Sequence, residues 1–253
     1  MFRIPSRLVA VIVAVLVVCA IQASDQNTLT EAEQSAGWKL LFDGTTYDNW
    51  TGMKGSPLPQ ANWTVEDGTI RTVPGRGRDL VSTRTYENFE LLFDVKILAG
   101  GNSGVKYMVQ PEWLSSGWSP DASPSAKKRQ SLAAVGYEYQ VIDDSTINNK
   151  PDWELGSLGS FYLIYSPDPE KKPSPFGEWN TCRIVVDGTQ VEHWLNGDKI
   201  LEYELGTKEV LALVRETKFR AAPGYGKKAA GYIVLTHHNS PAWFRNIKIR
   251  ELN

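Results

Sequence analysis

Two short runs hold side chains suited to acid–base work. In Gly136-Tyr137-Glu138-Tyr139-Gln140-Val141-Ile142-Asp143-Asp144, an acid and an amide stand two residues apart. In an extended strand that spacing puts Glu138 and Gln140 on one face and Tyr137, Tyr139 and Val141 on the other. A polar pair in such a strand costs free energy unless it is solvated or hydrogen-bonded. Carboxylate and amide side by side suit recognition of sugar hydroxyls, and the carboxylate can act as a general base. The second run is Gly100-Gly101-Asn102-Ser103-Gly104-Val105-Lys106-Tyr107-Met108. Here Val105, Tyr107 and Val109 share one face, and Gly104, Lys106 and Met108 share the other. A lysine beside glycines fits a groove where a ligand approaches the backbone, although a solvated Lys106 is the plainer reading.

The three histidines are the other candidates. His237 and His238 end the run Ile233-Val234-Leu235-Thr236-His237-His238-Asn239, and a strand end is a good place for a group that titrates near neutral pH. His193 alternates with Val191 and Leu195, so a satisfied core position is its ordinary role. Asp143 and Asp144 close their strand, where turn formation is the usual job of aspartate. Glu138, His238 and Lys106 are therefore the catalytic candidates, with Asn102, Gln140, Asp143, Asn180 and His193 as substrate-binding candidates. There is no G-x-S-x-G, Walker loop, dinucleotide-binding G-x-G-x-x-G or H-E-x-x-H. No cofactor is expected. His237-His238 with a distant carboxylate could take a divalent metal, but nothing has the spacing of a dedicated site.

The elements that must position these groups are mostly strands. Asp67-Gly68, Asp187-Gly188 and Asn196-Gly197 each interrupt β-prone residues, the strongest short hairpin signal. Strands are also expected at 89–97, 103–109, 136–143, 159–165, 231–236 and 243–249. A short helix is expected around Glu31 to Ser35 and another over Lys208–Phe219, after Gly206-Thr207. The fold class is all-β: a two-sheet, mostly antiparallel β-sandwich with one short helix in its body. Two long loops, Pro111–Ser131 with Lys127-Lys128-Arg129 and Pro167–Gly177, are binding candidates on a rigid scaffold or solvated insertions.

The 253 residues suffice for one large sandwich, and 42% hydrophobic with 22% charged residues is ordinary for a globular chain. A net charge of −2 gives no basis for capture of nucleic acid. Nine Trp, ten Tyr and eight Phe favour strands and, where exposed, stack on sugar rings. Arg3 and Arg7, the apolar run Leu8 to Val18 and the small residues through Ala23 have the order of a secretory signal cut after Ala23. The run is short for a membrane span, so periplasmic or secreted localisation is expected, with a lipid anchor at Cys19 as the competing reading. Residues 24–36 read as a polar lead-in and 37–253 as the body. Cys182 would then lack a disulfide partner, and its strand-like surroundings suit a small core residue.

In order, Trp38-Lys39-Leu40-Leu41-Phe42-Asp43-Gly44, Trp50, Trp63-Thr64-Val65-Glu66-Asp67-Gly68, Asn88-Phe89-Glu90-Leu91, Gly101-Asn102-Ser103-Gly104-Val105-Lys106-Tyr107, Tyr137 to Asp144, Gly177-Glu178-Trp179-Asn180, Glu192-His193-Trp194-Leu195-Asn196-Gly197 and Trp243 to Leu252 form a specific series. The series resembles the 3-keto-disaccharide hydrolase family, also described as 3-keto-glucoside 1,2-lyase and 3-keto-2-hydroxy-glucal hydratase. The resemblance covers roughly Gly37 to Leu252. It implies a concanavalin-like jelly roll whose concave sheet holds an oligosaccharide or glycoside already oxidised at C3. It also implies elimination across C1–C2 followed by hydration, with no oxocarbenium-type carboxylate pair, Glu138 or His238 being the expected base and Lys106 the expected partner of the C3 oxygen. Many members carry Arg where this chain has Met108, and the family's Gln-Asp-His-Gly reads Thr236-His237-His238-Asn239, so only His238 matches. A non-catalytic carbohydrate-binding module and a structural envelope protein are the competing functions, since sandwiches host all three.

Overall fold

The computed structural model describes residues 26–53, 56–75, 77–114 and 133–253. The expected signal segment, Cys19 and the Lys127-Lys128-Arg129 run lie outside the described residues. Thirteen strands are described: β1 (Lys39–Leu40), β2 (Trp50–Gly52), β3 (Trp63–Glu66), β4 (Thr69–Thr72), β5 (Leu80–Tyr86), β6 (Phe89–Ile97), β7 (Asn102–Val109), β8 (Tyr137–Ile142), β9 (Asn180–Asp187), β10 (Gln190–Leu195), β11 (Asp198–Glu204), β12 (Gly231–Leu235) and β13 (Ala242–Glu251). They form an eight-stranded sheet, ordered β11-β10-β9-β6-β13-β4-β3 with β1 on β13, and a five-stranded sheet ordered β2-β5-β12-β7-β8. Every pairing is antiparallel. The all-β, two-sheet antiparallel sandwich is thus the observed architecture.

Turn chemistry explains the hairpins. Asp67 (φ 48°) and Gly68 (φ 69°) both take the left-handed region that a type I′ turn demands, as do Asn196 (φ 50°) and Gly197 (φ 93°). At the third hairpin Asp187 pairs with Gln190, so the turn is Gly188-Thr189, one residue later than the Asp-Gly signal suggests. The described part of the lead-in is tied to the sandwich: Asn27 and Asn246 exchange side-chain-to-backbone hydrogen bonds at 2.7 and 2.8 Å. The helix Glu31–Ser35 carries a full capping box from Thr30 and Glu33.

Two expectations need correction. Residues 159–165 do not form a strand; Gly159 (φ 83°) and Leu163 (φ 65°) bend them into a tight loop beside β8. That loop receives and gives backbone bonds along β8, including Gly159 N–H to Gln140 O at 2.8 Å and Tyr162 N–H to Glu138 O at 3.1 Å. The second helix stops at Glu216 and not at Phe219. Thr217 is extended (φ −105°, ψ 172°), and its hydroxyl accepts from Phe219 N–H at 3.1 Å to start a separate 3-10 turn, Lys218–Ala221. A side chain competing with the helix for backbone donors is a physical cause of such a break.

The core between the sheets is aromatic. Tyr107, Tyr137 and Tyr139 from β7 and β8 face Phe89 and Phe93 from β6, all fully buried. Beyond them Phe161 stacks on Tyr203 with centroids 4.6 Å apart, and Phe219 on Tyr225 at 4.4 Å. His193 lies fully buried among these rings. Its Nδ1 lies 2.8 Å from Gly159 O and its Nε2 2.8 Å from Tyr107 Oη, while Tyr107 also bonds Tyr203. The Gly159 carbonyl can only accept, so Nδ1 carries a proton, and in the neutral imidazole Nε2 accepts from the Tyr107 hydroxyl.

Burial lowers the His193 pKa from 6.5 to about 4, against the raising effect of the Gly159 carbonyl. The unfolded chain therefore binds a proton below pH 6.5 that the folded chain refuses, and stability falls as pH drops towards 4. Between pH 7 and pH 5, above the carboxylate range, we expect denaturant melts to lose about 2 kcal/mol through this residue. His237, whose pKa burial also lowers, adds to the same window. His193→Gln should flatten most of that slope; an unchanged slope in the variant would place its origin elsewhere.

Candidate active site

Along β7 and β8 the alternation that buries the tyrosines sends Asn102, Gly104 and Lys106, with their partners Ile142, Gln140 and Glu138, to the other side of the sheet. Lys106 and Glu138 are direct cross-strand neighbours. Lys106 Nζ lies 3.9 Å from Glu138 Oε1 and 3.7 Å from Asp79 Oδ2. All three side chains are nearly enclosed, at 6%, 7% and 1% exposure for Lys106, Glu138 and Asp79. Asp79 is itself fixed by backbone N–H groups, Ala134 at 2.9 Å and His237 at 3.0 Å.

Gly104 makes room for the acid. A β-carbon there would stand 2.5 Å from Glu138 Oε1 and 3.1 Å from Thr236 Oγ1. The Glu138 carboxylate therefore leans over the backbone of β7 into space that any other residue would fill. Thr236 closes the floor beside it, its N–H and hydroxyl both donating to Gly104 O at 3.0 Å.

His238 completes the cluster, with Nε2 3.9 Å from Glu138 Oε1. Its side chain is 39% exposed, so it faces solvent where Glu138 does not. Burial alone would raise the Glu138 pKa. Lys106 first, then His238 and Lys218, overcome that penalty and hold it below the usual carboxylate range. Glu138 Oε1 is nevertheless buried without a hydrogen-bond partner among the described residues. An ionised, desolvated oxygen of this kind lacks a donor that a ligand or a shifted His238 can supply.

Two groups here escape the sequence patterns. Asp79 lies just before β5, outside any alternation. Lys218 opens the 3-10 turn after the helix, with Nζ 4.8 Å from the Tyr162 ring centroid. A helix continuing through Phe219 would have hidden both the turn and the projection of Lys218. The glycine of Gly77-Arg78-Asp79 is the one available signal for Asp79, since a β-carbon at Gly77 would strike the His237 ring.

The other candidates are distributed as follows. Gln140 is nearly buried beside Glu138, its Oε1 accepting from Val141 N–H at 3.2 Å. Asn102 is clamped by Ser240 through its backbone, while its Oδ1 is buried without a partner among the described residues. His237 is committed to structure: Nε2 lies 3.0 Å from Val73 O and Nδ1 accepts from Asn239 N–H at 3.3 Å. Three candidates lie elsewhere. His193 is enclosed in the core. Asp143 sits five residues beyond Glu138, roughly 16 Å along an extended chain. Its carboxylate caps Gly100 N–H at 2.8 Å and Ser145 N–H at 2.9 Å. Asn180 Oδ1 accepts from Ser174 N–H and Asn196 Nδ2–H, anchoring the proline-rich loop. Asp143 and Asn180 border a separate groove of about 450 Å³ with Ile97, Ile142, Leu158 and Phe176. Among the described residues no three His, Cys, Asp or Glu side chains converge in the manner of a metal centre.

Over residues 37–250 the chain matches the family described as the 3-keto-alpha-glucoside-1,2-lyase-like domain. It is 30% identical over 261 positions to the 3-keto-disaccharide hydrolase of Bacteroides thetaiotaomicron, spanning 92% of this chain and 85% of that one. A crystal structure from Parabacteroides distasonis ATCC 8503, provisionally named a glycosyl hydrolase, superposes with a TM-score of 0.72 at 32% identity, over 90% of this chain and all of that one. A second protein so named from that organism gives 0.59 at 27% identity, over 85% and 99%. The fold, the ordered motifs and these matches agree, and the chain belongs to the 3-keto-alpha-glucoside-1,2-lyase-like family.

Proposed function

We propose that this chain cleaves disaccharides or other glycosides already oxidised at C3, by elimination across C1–C2 followed by addition of water. The observation that carries the reading is the Glu138–His238 pair, an ionised buried carboxylate behind an exposed imidazole 3.9 Å away. Membership of a family whose relatives include a 3-keto-disaccharide hydrolase supports the substrate class.

The chemistry needs a base and little else. A C3 ketone acidifies the C2 proton. His238, exposed beside Glu138, takes that proton, while Glu138 stabilises the imidazolium that forms, as a buried carboxylate does for a catalytic histidine. The C2–H electron pair becomes the C2–C3 double bond and the carbonyl pair moves to O3, giving an enolate. When the O3 pair returns, the C2–C3 pair moves to form the C1–C2 double bond, the C1–O bond breaks, and the departing oxygen takes the proton that His238 carries. Water then adds across the glucal. Lys106, enclosed between Asp79 and Glu138, keeps Glu138 ionised. Gln140 and Asn102 border the same floor and orient hydroxyls.

Two arms test this. On a 3-keto-glucoside, Glu138→Gln and His238→Ala should each slow aglycone release and solvent-deuterium entry at C2 by about 10²–10⁴-fold. The double variant should be little worse than the poorer single one, because the two act as a unit. Near-normal turnover in both folded single variants would sink the assignment. Binding of the sugar by the wild type without any release would make the chain a carbohydrate-binding module instead.

Gly104→Ala probes the same geometry without touching a titratable group. The added methyl collides with Glu138 Oε1, so activity should fall by about 10²-fold, as small misplacements in active sites do, while the fold persists. Wild-type rates in that variant would show that the position of the carboxylate is immaterial.

We also infer export, from the Arg3-to-Ala23 pattern. Mass spectrometry of the envelope fraction should find a mature terminus near Ser24. A retained Met1 or a lipidated Cys19 would refute it.

A further inference from the structure

Resting on the elimination reading above, we infer that Lys218, and not Lys106, is the cation that meets the negative charge growing on the substrate's O3. The two lysines share the Glu138 neighbourhood but are placed differently. Lys106 Nζ has carboxylates at 3.7 and 3.9 Å and is only 6% exposed, so its charge is already answered from within the protein. Among the described residues, Lys218 has no carboxylate within ion-pair distance. Its ammonium lies over two aromatic faces, 4.8 Å from the Tyr162 centroid and 5.2 Å from that of Phe219. Aromatic faces hold a cation in place without neutralising it.

The backbone fixes that position. Tyr162 is tied to β8 by its N–H bond to Glu138 O at 3.1 Å, so the residue supporting Lys218 is anchored beside Glu138. The Thr217 hydroxyl starts the 3-10 turn that carries Lys218 there. Although Lys218 stands at the solvent-facing rim, the protein crowded around its side chain lowers its pKa; Lys106 lowers it further and Glu138 opposes both. The other titratable or charged groups near it are Tyr162, whose pKa burial raises to about 12, and Glu216 and Arg220 on its own segment. A cation held ready on a rigid support stabilises an oxyanion without having to reorganise.

The chemistry assigns Lys218 no bond-making. Proton transfer from C2 to His238 leaves the electron pair on O3, the Lys218 ammonium hydrogen-bonds that oxygen, and it keeps its own proton throughout.

Lys218→Met and Lys218→Arg should be compared with the wild type on a 3-keto-glucoside across pH 6 to 11. Loss of an oxyanion donor should lower kcat about 10²–10³-fold in the methionine variant, with KM little changed. Lys218→Arg should retain activity within about tenfold, and its alkaline limb should move up, since guanidinium stays protonated beyond the lysine range. A Lys218→Met enzyme within about threefold of wild-type kcat overturns the inference while leaving the base assignment intact. Should the wild type release no aglycone, the elimination reading fails and the O3 assignment of Lys218 falls with it, an outcome distinct from an active wild type beside an unimpaired Lys218→Met enzyme.

Discussion

Charges withdrawn from water must be balanced by other charges, and the outer face of the five-stranded sheet is built around that constraint. Removing an ion from bulk solvent costs several kcal/mol, and a buried acid left without its partner destabilises a protein by about 3–5 kcal/mol. Glu138 is tolerable where it stands because Lys106 is its cross-strand neighbour and Asp79 answers Lys106 in turn. Asp79 depends on backbone donors from Ala134 and His237, so the placement of the Thr236-His237-His238 segment is tied to the same charges. The segment that delivers His238 to Glu138 is thus positioned by His237, which bonds Asp79 through its main chain and Val73 through its ring. The placement of the acid–base cluster and its charge balance are one arrangement.

The same constraint explains what could be read from the chain in advance. Alternation places tyrosines inward and Glu138, Gln140 and Lys106 outward, because a strand has only two faces and three tyrosine rings claim one of them. Hairpin turns announce themselves because few residues accept a positive φ. The fold was therefore legible, and so was the outward face that carries Glu138, Gln140 and Lys106 in the candidate site. Local pattern does not report which strands become neighbours. Nothing in their own runs shows that Asp143 and Asn180 spend their side chains on backbone donors at a different groove, or that β10 turns His193 into the core. Asp79 and Lys218 lie at the ends of elements, where periodicity stops. Lys218 was masked further by a helical pattern that Thr217 interrupts.

The face of the eight-stranded sheet remote from the core shows how this chain uses its other tryptophans. Arg245 lies 4.1 Å from the Trp179 ring centroid, Lys96 bridges Trp179 and Trp243 at 4.9 Å each, and Arg183 covers Trp194 at 4.9 Å. Each contact adds roughly 0.5–1 kcal/mol at a partly exposed site. The aromatics that suggested sugar stacking from composition are here already covered by cations. The acid–base cluster lies on the opposite sheet.

The loop over residues 159–165 has a consequence for the life of the protein in a crowded compartment. β8 is the last strand of its sheet, and a bare strand at that position offers its amides and carbonyls to any passing extended chain. By bonding along β8 and turning back through Leu163, the loop uses up that template, and Tyr162 within it supports Lys218. Substitutions that loosen this loop would thus expose a sticky edge and disturb the site together. Edge protection and the support of Lys218 thus rest on the same seven residues.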